Sequence, residues 1–523
     1  MEEKLDSQAA AAGKWEPHVG YWLLESSEQQ RLAAKRRRAS ELLPDGCVVA
    51  LFTGEDDGGA PMRFEPRAWA RDLCEFKEPG SALVGISGAW TLYLREPDRH
   101  AQMWEGYRLG SARAKEALGI DAKPIGDLMG DLAAAMAAGA SMACELDDGC
   151  ALAIAARAAF AAAGAGRARE PRAPRAMLDA SALLEPLRMV VDEREAERMR
   201  ASARIAALGH VSSWEVLFRA IAKEALVDKQ VASALMQGDF EGVLPDWEVP
   251  GHLGPLAKAM LASGMSAPLN ERLLEAAFLA TCAGCGADNQ AYAPIVAAAE
   301  NALCLHWGEN RRRIQEMDWV LMDMGCMYGG FASDLTRTVP ANGRFDGARG
   351  AVYRLLLDAQ LAGIEAAVEG ADFMAPDRAC REILSEGLLE MGHLPRAWAP
   401  EDASEEEWPL LALKKVFPHS TSHWIGRRVH DIGAARALGG APAELVAGQR
   451  LTVEPGLYFF PDLAGVSPEL AGFGARIEDV CLVSKGGQPP EVLTGSCPKD
   501  PEAIERVAAA CGLPVGPGRG ASL

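Results

Sequence analysis

The chain has 523 residues, 49% of them hydrophobic and 24% charged, with a formal net charge of −20. That length exceeds what one hydrophobic core ordinarily serves, so two domains of ordinary globular composition are expected. The acidic balance argues against nucleic acid and anionic membranes as partners, because both attract basic surfaces.

The chain opens on Met1-Glu2-Glu3-Lys4-Leu5-Asp6, which is acidic, lacks an apolar core and does not read as a signal peptide. A charged helix is predicted over 28–41. Cys47–Phe52 then forms an apolar run ended by Gly54, as a buried strand would. Similar runs at 82–86 and 90–94 alternate with helical stretches at 110–118 and 126–137, which predicts an α/β domain. The Ala-rich stretches are interrupted by Glu145, Asp147, Asp148 and Arg157, so no membrane span is expected. Residues 155–176, rich in Ala, Arg, Gly and Pro, read as a helix end running into a loop.

Asp192 with Glu195 three residues on is a capping box, and a helix bearing Met199, Ala203, Ala206 and Leu208 follows it. The change of character between 185 and 192 divides the chain into domains 1–188 and 189–523. Residues 230–275 read as an irregular excursion, and the acidic segment 396–410 as a surface loop. The twelve cysteines are scattered and read as reduced thiols of a cytoplasmic protein. Cys282 and Cys285 form a CxxC with no second pair at metal-binding spacing, which is read as packing. No solenoid-type repeat is present.

The chemistry lies in the second half. Trp319–Gly325 is an apolar strand with Asp323 near its end, Tyr328-Gly329-Gly330 is a turn signal, and Phe331–Val339 returns carrying Asp334. With the turn centred on Tyr328 and Gly329, Asp323 and Asp334 face each other on one side of the hairpin. Two such carboxylates repel unless a cation or a proton lies between them. His419, His423 and His430 place three of the nine histidines within twelve residues. Glu454 ends the strand Leu451–Val453 ahead of a Pro455-Gly456 turn, and Glu478 lies inside the apolar strand 475–483, although Glu is rarely buried alone. Four carboxylates and an imidazole form an oxygen-rich donor set suited to Mn²⁺, Co²⁺ or Zn²⁺.

Asp323, Asp334, His423, Glu454 and Glu478 stand in the order and local contexts of the five ligands of the pita-bread metallopeptidases (family M24). The sequence resembles aminopeptidase P among them. Asp334-Leu-Thr-Arg-Thr338, Val453-Glu-Pro-Gly-Leu-Tyr458 and the segment from Tyr292 to Trp307, read as a strand pair carrying His306, are close to that family's patterns. Glu41–Gly46, Lys77–Gly80 and Trp104–Gly110 resemble its N-terminal domain, so the likeness spans roughly residues 28–500.

The resemblance implies a creatinase-like α/β N-terminal domain and a pita-bread α+β catalytic domain with a curved antiparallel sheet. It implies that Asp334 and Glu478 bridge two divalent ions, that Asp323 completes one site, and that His423 and Glu454 complete the other. The ions, manganese by preference with cobalt or zinc as substitutes, would activate a water for attack on the carbonyl before proline, with Glu454 carrying the proton. His306 and His430 would contact substrate and tetrahedral intermediate, His419 would line the proline pocket, Tyr458 would lie close to the substrate, and Arg476, grouped with these substrate-binding residues, would orient the carboxylates. Proline's tertiary amide has no N–H and a fixed φ, which explains a dedicated enzyme. The implied partners are peptides with proline second, and the implied assembly is a homodimer or homotetramer.

Departures fall around the pocket. Ala298 and Ser420 stand where the family usually has Gly, Trp307 stands for Tyr, and Arg63–Arg71 matches poorly. Three alternatives stand beside the aminopeptidase reading: a prolidase restricted to X-Pro dipeptides, a catalytically silent pita-bread binding module, and a creatinase-like hydrolase that uses the fold without metals, which the complete ligand set disfavours. The Trp104–Gly110 motif favours the aminopeptidase over the first, and the complete ligand set argues against the second.

Overall fold

The computed structural model describes residues 23–55, 66–98, 100, 103–104, 106, 108–165, 176–222, 269–436 and 440–514. The acidic start, the Ala/Arg/Gly/Pro stretch over 166–175, the excursion as far as residue 268, residues 63–65, and Glu105 and Tyr107 of the Trp104–Gly110 motif lie outside them. The chain divides into two compact units, Met1–Arg188 and Met189–Leu523.

In the first unit, strands β1 (Cys47–Phe52), β2 (Ala82–Ile86), β3 (Ala89–Leu94), β4 (Asp121–Pro124), β5 (Ser141–Cys144) and β6 (Met177–Asp179) form one sheet in the order β4-β3-β2-β1-β5-β6. The β1–β2 and β2–β3 pairs are antiparallel and the other three parallel. β1 is buried at every position, which accounts for its unbroken apolar run. Helices α1 (Ser26–Leu42), α2 (Ala68–Cys74), α3 (Ser111–Leu118), α4 (Leu128–Ala137), α5 (Ala151–Ala165) and α6 (Ala180–Met189) accompany the sheet. Val48, Ala50 and Phe52 share a core with Leu128, Leu132 and Met136 of α4.

The second unit opens with α7 (Glu193–Ile221), whose capping box is complete: the Glu195 amide donates to Asp192 Oδ1 at 3.0 Å, and the Asp192 amide donates to Glu195 Oε2 at 3.2 Å. Its buried face runs through Met199, Ala203, Ala206 and His210. Leu208 lies off that stripe, 47% exposed, contrary to the sequence reading. α8 (Glu271–Gly284) begins inside the expected excursion, its start set by the Asn270 side chain accepting from the Leu273 amide. Further on are α9 (Gly347–Ala366), α10 (Ala375–Glu390), α11 (Trp408–Leu413) and α12 (Pro501–Ala510). Segment 396–410 is not a plain surface loop, because Trp398 and Trp408 are both buried in the core.

The strands of this unit are β7 (Asn289–Gln290), β8 (Ile295–Ala298), β9 (Trp319–Asp323), β10 (Cys326–Tyr328), β11 (Phe331–Ala332), β12 (Thr336–Pro340), β13 (Arg450–Val453), β14 (Gly456–Phe459), β15 (Phe473–Arg476), β16 (Asp479–Leu482) and β17 (Glu491–Val492). Every pairing is antiparallel. Eight of them are halves of four bent strands: β9/β10, β11/β12, β13/β14 and β15/β16. At each bend the chain passes from one ladder into another, which curves the sheet.

The bends have local causes. Gly325 approaches the Ser333 carbonyl so closely that any Cβ would collide with it. Pro455 has no N–H to donate to a ladder, and it makes a bend between β13 and β14 where a turn was expected. Glu478 likewise sits in the gap between β15 and β16 rather than inside a strand. Of the strand pair expected over 292–307, only β8 forms. Ala299 has φ +52°, a short 3-10 turn follows over Ala299–Leu303, and His306 lies on the next turn. The left-handed backbone that a glycine would ease falls on Ala299, not on Ala298.

The β10–β11 hairpin turns on Gly329 and Gly330, with φ of 57° and 76°. A tight two-residue turn matching the strand twist needs positive φ at both central positions, which glycine allows and Tyr328 does not. Tyr328 therefore pairs with Phe331, and Asp323 faces Thr336 rather than Asp334. The register differs from the sequence expectation by two residues, which moves Asp334 to a place opposite Gly325, two positions along from Asp323 and on the same side. Among the described residues, no helix is long and apolar enough to cross a membrane.

Candidate active site

The four strand bends converge on one cavity of about 380 Å³ within the second unit. Asp323 ends β9, Asp334 lies between β11 and β12, Glu454 between β13 and β14, and Glu478 between β15 and β16. Each carboxylate thus occupies a joint where the chain leaves one ladder for another, and there its side chain can turn inward. His423 follows on an irregular segment tied to β13: the Thr452 amide donates to the His423 carbonyl at 3.0 Å, and the His423 amide to Thr452 Oγ1 at 3.0 Å. His306, His419, His430 and Arg476 also line the cavity. Tyr458 stands behind it, fully buried.

The distances show donors aimed at a common centre. His423 Nε2 is 3.4 Å from both Asp334 Oδ2 and Glu454 Oε1. That exceeds the ~2.7–2.9 Å of a charge-assisted hydrogen bond. It matches the spacing of two ligands each about 2.0–2.1 Å from one ion. His423 Nδ1 is 3.1 Å from the Trp424 carbonyl, an acceptor only, so Nδ1 carries a hydrogen and Nε2 is the atom turned toward the carboxylates. Asp334, His423 and Glu478 each offer a ligand atom within 4.8 Å of the others'.

Electrostatics agree. Burial raises Asp323, with Arg476 opposing and Asp334 adding. Burial lifts Glu454 to about 7 against the pull of His423 and Arg476. Burial, then Asp334, Glu454 and Asp323, pushes Glu478 well above the carboxylate range. Burial would lower His423, yet the Asp334 and Glu454 carboxylates beside it raise it to about 9. The protein's own cations therefore do not balance this cluster, and the donor set fits divalent metal.

One hydrogen-bond chain backs the cavity. Arg476 Nη2 donates to Asp323 Oδ2 at 2.6 Å and Nη1 donates to the Tyr458 hydroxyl at 2.8 Å, which stands 3.0 Å from His419 Nε2. His419 is lowered to about 4 by burial, and its Nδ1 lies 2.9 Å from the Ser420 carbonyl. His423 and His430 stack edge to face with centroids 4.4 Å apart.

Two residues escaped the sequence reading. The Tyr292 hydroxyl lies 2.5 Å from Asp323 Oδ1 and 2.6 Å from Asp334 Oδ1, and Thr336 Oγ1 donates to Glu478 Oε2 at 2.6 Å. No spacing rule marks Tyr292. Thr336 could have been found from the β9–β12 register, had the turn been centred on its two glycines.

A curved antiparallel sheet whose bends gather four carboxylates and an imidazole defines a metal-dependent hydrolase of the metallopeptidase class. Residues 253–485 match the model of metallopeptidase family M24, and residues 32–143 match that of the aminopeptidase P N-terminal domain. The chain is a metallo-aminopeptidase, similar to aminopeptidase P in both of its units. It is 27% identical to the Xaa-Pro aminopeptidase of Escherichia coli K12 over 497 residues, covering 92% of this chain and 99% of that protein. The structure of Pseudomonas aeruginosa aminopeptidase PepP superposes with a TM-score of 0.75 at 27% identity, covering 92% of this chain and 98% of that one. Zinc-substituted E. coli aminopeptidase P in complex with product superposes with a TM-score of 0.74 at 27% identity, covering 94% and 99%.

Proposed function

We propose that the protein hydrolyses the peptide bond before a proline in second position, releasing the N-terminal residue, with two divalent ions, manganese by preference, held by Asp323, Asp334, His423, Glu454 and Glu478. The observation that carries this is the convergence of those five side chains on one cavity with their negative charge uncompensated. Asp334 and Glu478 are assigned the bridging positions, Asp323 one terminal position, and His423 and Glu454 the other. Bound there, the ions would lower the pKa of water and neutralise charge developing on the scissile carbonyl oxygen.

The chain's own residues do the rest. Glu454 takes the proton of the attacking water and returns it to the leaving proline nitrogen. Its side chain is 17% exposed against 6% for Asp334 and 11% for Asp323, so it has the freest access to substrate. Arg476 fixes Asp323 through its 2.6 Å bond and Tyr458 through its 2.8 Å bond. Tyr458 in turn steadies His419 against the proline ring. His306 and His430 face the cavity and hydrogen-bond the substrate and its tetrahedral form. Residues 1–188 are assigned as the aminopeptidase P-like domain and 189–523 as the catalytic domain. A reducing, cytoplasmic setting is proposed from the twelve cysteines scattered along a chain of this length. The proposed assembly is a homodimer or homotetramer, which sedimentation tests.

The deciding measurement compares X-Pro-Y tripeptide, X-Ala-Y tripeptide and X-Pro dipeptide, with added Mn²⁺ and with chelator. Cleavage of the first alone, abolished by chelator, is expected. Cleavage confined to the dipeptide would make the protein a prolidase, and metal-independent cleavage would end the ligand assignment.

A further inference from the structure

His306 and Trp307 form one wall of the cavity, yet they sit in an irregular segment between β8 and β9. Such a segment holds a side chain to catalytic tolerance only if something outside it fixes the backbone. Here the fixing group is one carboxylate. Glu271, the first residue of α8, is fully buried. Its Oε1 accepts from the Ala298 amide at 2.8 Å and from Asn301 Nδ2 at 2.8 Å. Its Oε2 accepts from the Arg312 amide at 2.8 Å and from Trp307 Nε1 at 3.1 Å. The donors come from both ends of the segment and from its middle. One helical turn on, Glu275 accepts from Asn310 Nδ2 at 2.8 Å, and Asn310 Oδ1 accepts the Val296 amide at 3.1 Å.

The segment also carries strain. Ala299 and Asn310 have φ of +52° and +49°, positions that cost L-residues free energy. Backbone of that kind persists where surrounding contacts over-determine it, and it concentrates at functional sites. All four partners of Glu271 are uncharged N–H groups. Two donors per oxygen offset the burial of its charge, and its place in the first turn of α8 adds a favourable helix dipole.

We propose that Glu271 is a positioning residue for the reaction: it holds the wall that presents His306 to the substrate and acts through His306 rather than through the metal ions. The inference rests on the proposed X-Pro cleavage. In the full chain loaded with Mn²⁺, Glu271→Gln places an amide N–H against at least one of these donors. It should lower kcat on an X-Pro-Y tripeptide about 10–100-fold while KM moves by less than about threefold and bound manganese per chain stays unchanged.

In a His306→Ala background the same substitution should change kcat by less than about threefold, because the group it positions is gone. Equal losses in the two backgrounds, or no loss in the first, would overturn the proposal. Trp307→Phe removes one of the four bonds and keeps an aromatic ring, so it serves if Glu271→Gln does not fold. It should give a smaller kcat loss that also vanishes with His306→Ala, and an additive loss would overturn the proposal. Hydrogen exchange at the Ala298 and Arg312 amides should quicken in Glu271→Gln, and unchanged exchange counts against the clamp. If the unsubstituted protein cleaves no tripeptide, the functional reading fails, while the exchange comparison still decides whether Glu271 holds the segment.

Discussion

Glu478 and Asp479 are adjacent, both buried, and electrostatically opposite. Asp479 accepts from Arg337 Nη2 at 2.8 Å, Lys499 Nζ at 2.8 Å, Thr494 Oγ1 at 2.6 Å and Gln360 Nε2 at 3.0 Å. Burial alone would raise it, but Arg337 and Lys499 hold it far below the usual carboxylate range. Glu478, turned to the other side of the chain, meets Asp334, Glu454 and Asp323 and is pushed far above that range. One side of the bend is a closed ionic cluster with its own cations. The other is an open cluster short of cations. The first holds the fold; the second fits an external ion.

The sharpest test removes a member of the open cluster. Asp334→Ala or Glu478→Ala should cut X-Pro-Y turnover at least about 10³-fold, while the metal-free protein loses little stability because a crowded set of buried carboxyl groups loses one member. Near-normal turnover in either variant would refute the bridging assignment. Asp479→Ala should do the reverse. It strands Arg337 and Lys499 and should cost about 3–5 kcal/mol in denaturant unfolding, as breaking a buried ion pair does.

pH separates the clusters next. Between 4.5 and about 7 the folded state keeps a proton on Glu454 that the unfolded state has lost, so this group makes stability fall as pH rises through that window. With chelator present, Glu454→Gln should therefore gain stability over the parent by up to about 3 kcal/mol as pH climbs from 4.5 to 7. Added Mn²⁺ should reverse the advantage, and a flat difference with chelator would remove the argument.

The smallest contrast uses two threonines. Thr494→Val, beside Asp479, should cost about 1–2 kcal/mol of stability with turnover retained. Thr336→Val, beside Glu478, should weaken manganese affinity about 10-fold. Calorimetric titration and melting curves for both variants would expose any exchange of these effects.

Much of the site was legible because its chemistry is carried by side-chain type in order along the chain. Asp323, Asp334, His423, Glu454 and Glu478 stand out as polar residues in or beside apolar runs, and the structure brings all five to one cavity. What was illegible depends on backbone path and remote pairing. The hairpin register turned on which two residues take positive φ, and the run Tyr328-Gly329-Gly330 offered two centres. Bends at Gly325, Glu454–Pro455 and Ile477–Glu478 arise where the chain passes from one ladder into another, which no local periodicity announces. Asp479 looks like any strand carboxylate until Arg337, Lys499 and Thr494 arrive from elsewhere. Glu271 fell inside the stretch read as an irregular excursion, and two of its four donors are main-chain amides, which no sequence pattern marks. Leu208 fits a helical pattern by type and falls off the stripe by angle.

The imidazole of His423 owes its orientation to the carbonyl of its own neighbour, Trp424. A main-chain oxygen belongs to the polymer and not to any codon, so no single-base change can delete it. Sequence drift at position 424 can alter the indole and its packing, but it leaves the acceptor in place. The aim of this nitrogen is thus inherited with the backbone trace itself, which shelters one donor of the centre from the mutational erosion to which the others stay open.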